Sequence, residues 1–410
     1  VDKNIIEIHR NYKFRLYPND DQKILFENYF FARNQAWNFM LALNIKELKQ
    51  NKHLPKEDKI FTELDDIYKL TKIHLQQRNI DYNSGVVQDE LIKLKKAFLE
   101  YYKGKKGFPK FKLSHLTEQS FIIRNQATHI LDRHLKIFKH KIKAKFHRRI
   151  PDHSKFNGGV IKRESDGKYY VFLNLTINHE LPNLSDKPKC GIDLNVKNIA
   201  ISASNGNQEL IILEDYSKSK YSKTFKKVQK KLSKRYKNKN FSNKTKKLQN
   251  KSNKIQKKIK NKKEDSYHKI SKDIVNNHSR ITIEDLEITS MKESDKTFLN
   301  RIISDVSWGS LINKIKYKAE MQNVFIDEIN PAFSSQRCSK CGYISRNNRK
   351  SQSDFCCENC SYTCNADLNA SKNILDYDHW SLEQKSMLNA KSSQVTSLPN
   401  LDSAMNCSIS

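Results

Sequence analysis

The first readable pattern along the chain is "NYKFRLYP" (11–18), where Tyr12, Phe14 and Leu16 alternate with Lys13 and Arg15. That period of two predicts a half-buried strand, ended by Pro18. From Asp20 to about Gln50 the period lengthens, and Ile24, Phe26, Phe30, Trp37, Met40 and Leu41 mark a long helix with Asp20 or Asp21 near its N-terminus. Val87, Leu91, Leu94 and Phe98 predict a second helix over 85–102, which "GKKGFPKFK" (104–112) breaks with glycine and proline. Residues 117–180 return to short apolar or alternating runs, with "SDG" as a hairpin turn, and predict a small β-rich unit that pairs with the N-terminal strand. "LPNLSDKPK" (181–189) reads as a linker, and "CGIDLNVKNIAISASNGNQ" as two strands joined by a tight turn. Further on, "SRITIEDLEI" (279–288) is a strand ending in acid, "SWGSLINKIKYKAEMQN" (307–323) an amphipathic helix, and "VFIDEIN" (324–330) another strand. From about Tyr377 the chain is rich in Ser, Asn and Gln without periodicity, which predicts disorder.

Charge sharpens this outline. The 410 residues carry 76 Lys+Arg against 45 Asp+Glu, a net charge of +31, and such a field attracts polyanions. The charge is concentrated: residues 218–263 hold 21 Lys/Arg and no acid, leaving +10 for the rest of the chain. Within that run Phe225, Val228, Leu232, Phe241, Leu248, Ile255 and Ile259 recur at helical spacing, with polar "KNKN" (237–240) between them. An αα-hairpin with a thin apolar seam and a phosphate-facing surface fits better than a merely solvated charge run. No apolar run approaches the ~18 residues of a membrane span, and "VDKNIIEIHRNYKF" lacks a signal core, so the expectation is a soluble, cytoplasmic, nucleoid-associated protein. Val1 in place of Met suggests a non-AUG start or a trimmed end.

Six of the eight cysteines fall within 338–364. Cys338-x₂-Cys341, fifteen intervening residues and Cys357-x₂-Cys360 match a zinc template, and four sulfurs leave no open position, so the metal is structural. Cys356 is a substitute for the second pair, and Cys364 is a spare thiol nearby. The spacing excludes a secreted disulfide framework, Cys190 and Cys407 being isolated. The 13 histidines are scattered and read as surface or packing residues.

Three acids stand out as a set, although each alone reads as a helix cap or a surface charge, Asp367 being favourable near a helix N-terminus in any case. Asp193 lies inside the strand "GIDLNV", Glu284 ends the apolar "ITIE", and Asp367 opens the helix "ADLNASKNIL". Converging at one sheet edge they would repel one another unless cations neutralised them, and hard oxygen ligands suit Mg²⁺ or Mn²⁺. Two such ions ~3.5–4 Å apart activate water and stabilise the leaving oxygen of a phosphodiester.

This ordered set resembles the RuvC-type nuclease of the TnpB/OrfB family, insertion-sequence proteins related to Fanzor and to type V CRISPR effectors. "GIDLNVKNIA", "ITIEDLEI" and "CNADLNASKNI" resemble its three motifs, with "SSQRCSKCG…CENC" between the second and third. "YKFRLYPNDDQ…FARNQAWN", "GFPKFK" and the lysine-rich hairpin are similar too, so the likeness runs to about residue 376.

The resemblance implies an α+β multidomain fold. It has a wedge-like β-barrel (1–18 and 113–182), a helical recognition domain (19–112), and an RNase H-like RuvC domain (183–333 and 362–378) carrying the hairpin 217–278. A zinc ribbon (334–361) and a disordered tail (379–410) complete it. It implies Asp193, Glu284 and Asp367 as Mg-binding catalytic acids and Cys338, Cys341, Cys357 and Cys360 as zinc ligands. A guide RNA from the transposon end would pair with target DNA, which the RuvC site cleaves. The alternatives are a catalytically weakened nucleic-acid-binding relative that regulates transposition or transcription, and a transposase proper. Asn195 stands where the family usually has Gly, Ala366 where a basic residue is common, and Ser361 where Gly is usual.

Overall fold

A computed structural model describes residues 5–53, 62–113, 119–183, 186–214, 219–238, 242–285, 307–382 and 384–386. Phe241, the "LEI" of the second motif and residues 387–410 of the expected tail lie outside the described residues. The chain forms two compact units, 1–180 with 235–254, and 181–234 with 255–410.

In the first unit, β1 (Ile5–Tyr17) begins six residues before the expected strand because Ile6 and Ile8 continue the alternation. Ile8, Tyr12, Phe14 and Leu16 are buried on its inner face. Asn19 then caps α1 (Asp20–Gln50) in a reciprocal box with Gln22, so Asp20 and Asp21 occupy the first turn rather than the cap. Phe26, Phe30, Trp37, Met40 and Leu41 are buried as expected, but Ile24 faces solvent. Two further helices, α2 (Leu64–Gln77) and α3 (Ser84–Tyr102), complete a helical cluster through Ile67, Leu75, Val87 and Leu94. The sequence pattern did not announce α2: Thr71 sits on its buried stripe, returning its hydroxyl to Ile67 O at 2.7 Å.

Six more strands share a sheet with β1: β2 (Gln119–Ile123), β3 (Thr128–Ile130), β4 (His134–Ile137), β5 (His140–Lys145), β6 (Lys155–Arg163) and β7 (Tyr169–Glu180). Their order is β2-β6-β7-β1-β5-β4-β3, with β1 and β7 paired antiparallel from Ile5↔Glu180 to Leu16↔Tyr169. Its two edges, β2 and β3, are joined by only residues 124–127, so the sheet curls almost into a barrel.

The second unit is built on a mixed sheet, β8 (Lys189–Leu194), β9 (Asn198–Ala203), β10 (Gln208–Ile212), β11 (Arg280–Glu284) and β12 (Phe325–Ile329). The order is β10-β9-β8-β11-β12; β8, β9 and β10 run as antiparallel neighbours, while β8, β11 and β12 are parallel. The turn expected after β8 is present, but the following sequence yields β9 and β10, one strand more than anticipated. Val228, Leu232 and Ile255 are buried along α4 (Lys220–Lys237) and α5 (Asn243–Asn277), as the seam predicted. α6 (Trp308–Met321) packs Leu311, Ile312 and Ile315 into the sheet's core.

Past β12 come β13 (Asp354–Cys356), β14 (Thr363–Asn365) and α7 (Ala366–Leu375). The expectation of disorder from Tyr377 onward is corrected over its first part. Residues 377–382 and 384–386 are helical, and Trp380 is buried with Nε1 donating to Asn373 O at 2.7 Å. One indole and Gln384, which donates to Asn330 O at 3.0 Å, anchor a segment whose composition reads as linker.

Candidate catalytic and metal sites

β8 and β11 run parallel with Ile192 beside Ile283, so Asp193 and Glu284 emerge level at the carboxyl ends of adjacent strands, the end of a parallel sheet where ligands bind. Asp367 arrives from the first turn of α7, whose cap Asn365 accepts the N–H groups of Asp367 and Leu368 at 2.9 and 3.1 Å. α7 lies directly on β8 because Gly191 has no side chain: a Cβ there would overlap Leu375 N and Ser371 O. Ser202 of β9 and Ser371 meet hydroxyl to hydroxyl at 2.7 Å. The fold thus brings the three sequence-predicted acids to one place.

Each acid is already held by a protein donor. Asn195 donates to Asp193 Oδ2 at 2.7 Å, Ser334 to Glu284 Oε1 at 2.5 Å, and Asn198 to Asp367 Oδ2 at 3.0 Å. Arg349 pairs with Asp367 Oδ1 at 3.0 Å. Burial, then the charge of Glu284 and to a lesser degree that of Asp367, pushes Asp193 up to about 7. Burial also raises Glu284, and the Ser334 hydrogen bond opposes the rise. Mutual repulsion among buried carboxylates is what a divalent cation relieves, although the three acids do not gather their oxygens as closely as the four cysteines gather their sulfur atoms. Asn198, Ser334, Arg349 and Gly191 were missed by sequence reasoning. Only Gly191, a glycine inside an apolar strand, carried a local signal.

The four cysteines assemble more tightly. The sulfur atoms of Cys338, Cys341, Cys357 and Cys360 all lie within 4.8 Å of one another, the one such ligand group among the described residues. Cys338 and Cys360 are 3.8 Å apart and Cys341 and Cys357 3.6 Å. A tetrahedral metal with ~2.3 Å bonds to sulfur requires edges of about 3.8 Å, so the thiols fit a closed metal site. Cys356 and Cys364 stand on β13 and β14 and are not members.

The two knuckles share one design. Gly342 N–H bonds Cys338 O at 2.9 Å and Cys338 N–H bonds Tyr343 O at 2.9 Å; Ser361 to Cys357 and Cys357 to Tyr362 repeat this at 3.0 and 2.9 Å. Both turns need a left-handed residue, supplied by Gly342 (φ 80°) in one and Ser361 (φ 54°) in the other.

The knuckle is tied to the acid by α7. Asn369 and Asn373, both fully buried and one turn apart, donate to Arg337 O at 2.7 and 2.6 Å. Asn369 also accepts Ser339 N–H at 3.0 Å, while β14 runs straight into the cap of α7. Arg349, between the cysteine pairs, donates to Gln352 O at 2.8 Å as well as to Asp367.

Three family models match successive parts of the chain: a helix-turn-helix domain of OrfB_IS605 over 8–53, OrfB_IS605, "Probable transposase", over 172–295, and the Cas12f1-like TNB domain over 308–374. The "Putative RNA-guided DNA endonuclease InsQ" of Escherichia coli is 28% identical over 90% of this chain and 92% of its own length. The "CRISPR-associated endodeoxyribonuclease Cas12f1" of Sulfoacidibacillus thermotolerans is 36% identical over 28% of each chain. A Cas12f1 chain from a cryo-EM complex with sgRNA and target DNA superposes with TM-score 0.55 at 14% identity, over 90% of this chain and 98% of that one. That likeness establishes a multidomain α+β fold. Over these segments the chain is similar to OrfB_IS605 and Cas12f1-like proteins. No helix among the described residues is long and apolar enough to cross a membrane.

Proposed function

We propose that the protein is a transposon-encoded, RNA-guided DNA endonuclease, with Asp193, Glu284 and Asp367 as the carboxylates of a RuvC-like site. The observation that carries this reading is the convergence of three acids from three elements, two of them on adjacent parallel strands, with Asp193 pushed up to about 7 by burial and its acidic neighbours. A divalent cation, Mg²⁺ or Mn²⁺, would neutralise them and supply Lewis-acid chemistry at a phosphodiester. The chain's own groups set the geometry: Asn195 fixes Oδ2 of Asp193, Ser334 orients Glu284, and Asn198 with Arg349 orients Asp367. Asn195, where the family usually has Gly, therefore serves as a hydrogen-bond donor and leaves the other oxygen of Asp193 to face a cation. Zinc is the metal we assign to the four cysteines, where it would close the ribbon and hold α7.

The mixed sheet of the second unit supports an RNase H-like domain over 183–333 and 362–378, with the ribbon at 334–361 and the basic hairpin at 217–278. The curled sheet of β1–β7 supports the wedge-like barrel at 1–18 and 113–182, and α1–α3 the recognition domain at 19–112. Guide RNA from the transposon end and target DNA are the partners, a division of labour in which pairing reads sequence and the protein grips backbone. The named relatives support it.

The test is cleavage. Protein co-expressed with RNA from its flanking DNA is expected to cut a matching plasmid library in Mg²⁺, and Asp193→Ala to abolish the cut. Retained RNA-dependent DNA binding without any cleavage by the wild-type protein would replace this reading with that of a binding relative.

A further inference from the structure

"GFPKFK" takes no part in either metal site, yet the fold holds it firmly. Trp37 Nε1 donates to Lys110 O at 3.0 Å, and Asn38 grips Lys112 from both sides, donating to its carbonyl at 2.9 Å and accepting its N–H at 2.7 Å. The Lys112 ammonium lies 4.0 Å over the Trp37 ring and pairs with Glu90. Glu90 is almost fully buried and also binds Arg33 and Lys93 at 2.8 and 2.7 Å. A carboxylate taken out of water needs such partners, and their joint effect is to fix the strap's backbone.

What the strap and the end of α3 present is not buried. Tyr102 is 64% exposed, and Leu99, Tyr101, Phe108, Phe111 and Leu113 are exposed too. Single exposed apolar residues are ordinary, but six fall within fifteen positions here, and the rings of Tyr101, Tyr102 and Phe108 cluster around Phe98. Tyr102 is backed by Phe98, stacked at 6.3 Å, and by Tyr101 at 5.4 Å, while Phe108 stands edge-on to Phe98 and Tyr101 at 5.6 and 5.2 Å. The rim is mainly basic: Lys103, Lys105 and Lys110 lie within residues 103–112, while Lys106 is paired with Glu100 at 2.6 Å and Lys112 with Glu90. Gly104 (φ 66°) reverses the chain so that this lysine turn lies beside the tyrosines.

We propose that Tyr102, backed by Phe98, Tyr101 and Phe108 and rimmed by Lys103 and Lys105, is a stacking platform for an unpaired base of a single-stranded nucleic acid. Rings give each base a sequence-tolerant partner while the lysines meet the phosphates. The rigid strap removes the ordering cost that a mobile aromatic would carry. An apolar protein partner fits less well, because the rings are flanked by Lys103, Lys105 and Lys110. The proposal takes from the functional reading above only the class of partner.

The test uses the full-length protein and short oligonucleotides, one DNA and one RNA, carrying either 5-iodouracil for photocross-linking or 2-aminopurine as a stacking reporter. Cross-links are expected on the tryptic peptides 97–103 and 107–110. Tyr102→Ala should abolish them and weaken the stacking signal about 5- to 100-fold in apparent affinity, whereas Tyr102→Phe should preserve both. Because Tyr102 is exposed, both variants are expected to retain the wild-type circular dichroism spectrum. Lys105→Ala should reduce the salt slope by about one without removing the cross-link. The strand that labels, RNA or DNA, identifies the source of the base. Labelling by neither, labelling confined to 220–277, or an unchanged signal in Tyr102→Ala would overturn the proposal. A wild-type protein that labels here but never cleaves leaves the platform standing and removes the nuclease reading; cleavage without labelling does the reverse.

Discussion

The four thiols and the three carboxylates of the second unit meet opposite demands with opposite construction. The thiols come from two short turns twenty-three residues end to end and lie within 4.8 Å of one another. The acids come from elements 174 residues apart in the chain, and each is tethered to a different donor. A structural metal is served by a closed, locally encoded cage. A reacting centre needs ligands from several elements, so that substrate can enter between them, and needs each ligand oriented by its surroundings. Asn369 and Asn373 join the two, fastening the cage to the helix that carries Asp367.

The most severe break in that link is removal of one of the four clustered thiols. Cys338→Ser or Cys357→Ser should abolish bound zinc and lower cleavage at least about tenfold, although no proposed catalytic ligand is touched. Zinc content and cleavage rate measured together decide it; full cleavage by a zinc-free protein would show that the ribbon does not organise the site. Next is Gly191→Ala, which inserts a methyl between β8 and the backbone of α7. It should cost about 1–3 kcal/mol, read as a fall in Tm, with a parallel loss of cleavage as Asp367 shifts. An unchanged Tm would mean that α7 is not seated on β8.

The titration of Asp193 sharpens the comparison from the acid side. Its folded value is near 7 against 3.8 unfolded, so the folded, cation-free chain binds one more proton between about pH 4 and 7. Stability from this group therefore falls as pH rises through that window. A cation must displace the same proton, so apparent cation affinity should drop about tenfold per pH unit below 7. Calorimetry at pH 6 and 8 measures it, and equal affinities would contradict the assignment. The smallest effect lies in the knuckles. Ser361→Gly should relieve a left-handed serine and raise stability by roughly 1 kcal/mol, while Gly342→Ala should lower it by a similar amount. Thermal unfolding of the pair tests whether the two turns are equivalent.

The same contrast explains what could be read from the residues alone. Spacing identified the four thiols that the fold brings together, because two thiolates per turn is a local property. The acids were legible only as a set, charges inside apolar strands or at a helix start. Their partners were not: Asn198, Ser334 and Arg349 reach the acids only after folding, and nothing near them in the chain marks them. Trp380 is the same case in apolar form, one buried ring that makes helix of a segment with linker composition. α2 was hidden by a threonine on its inner stripe.

The most direct test of the central claim is a Mn²⁺ titration followed by electron paramagnetic resonance on the zinc-loaded protein and on Asp193→Ala, Glu284→Gln and Asp367→Asn. One cation site built by three elements requires that each substitution weaken the same binding event at least about tenfold while zinc content stays at one per chain. Wild-type Mn²⁺ affinity in any two of the variants would contradict it.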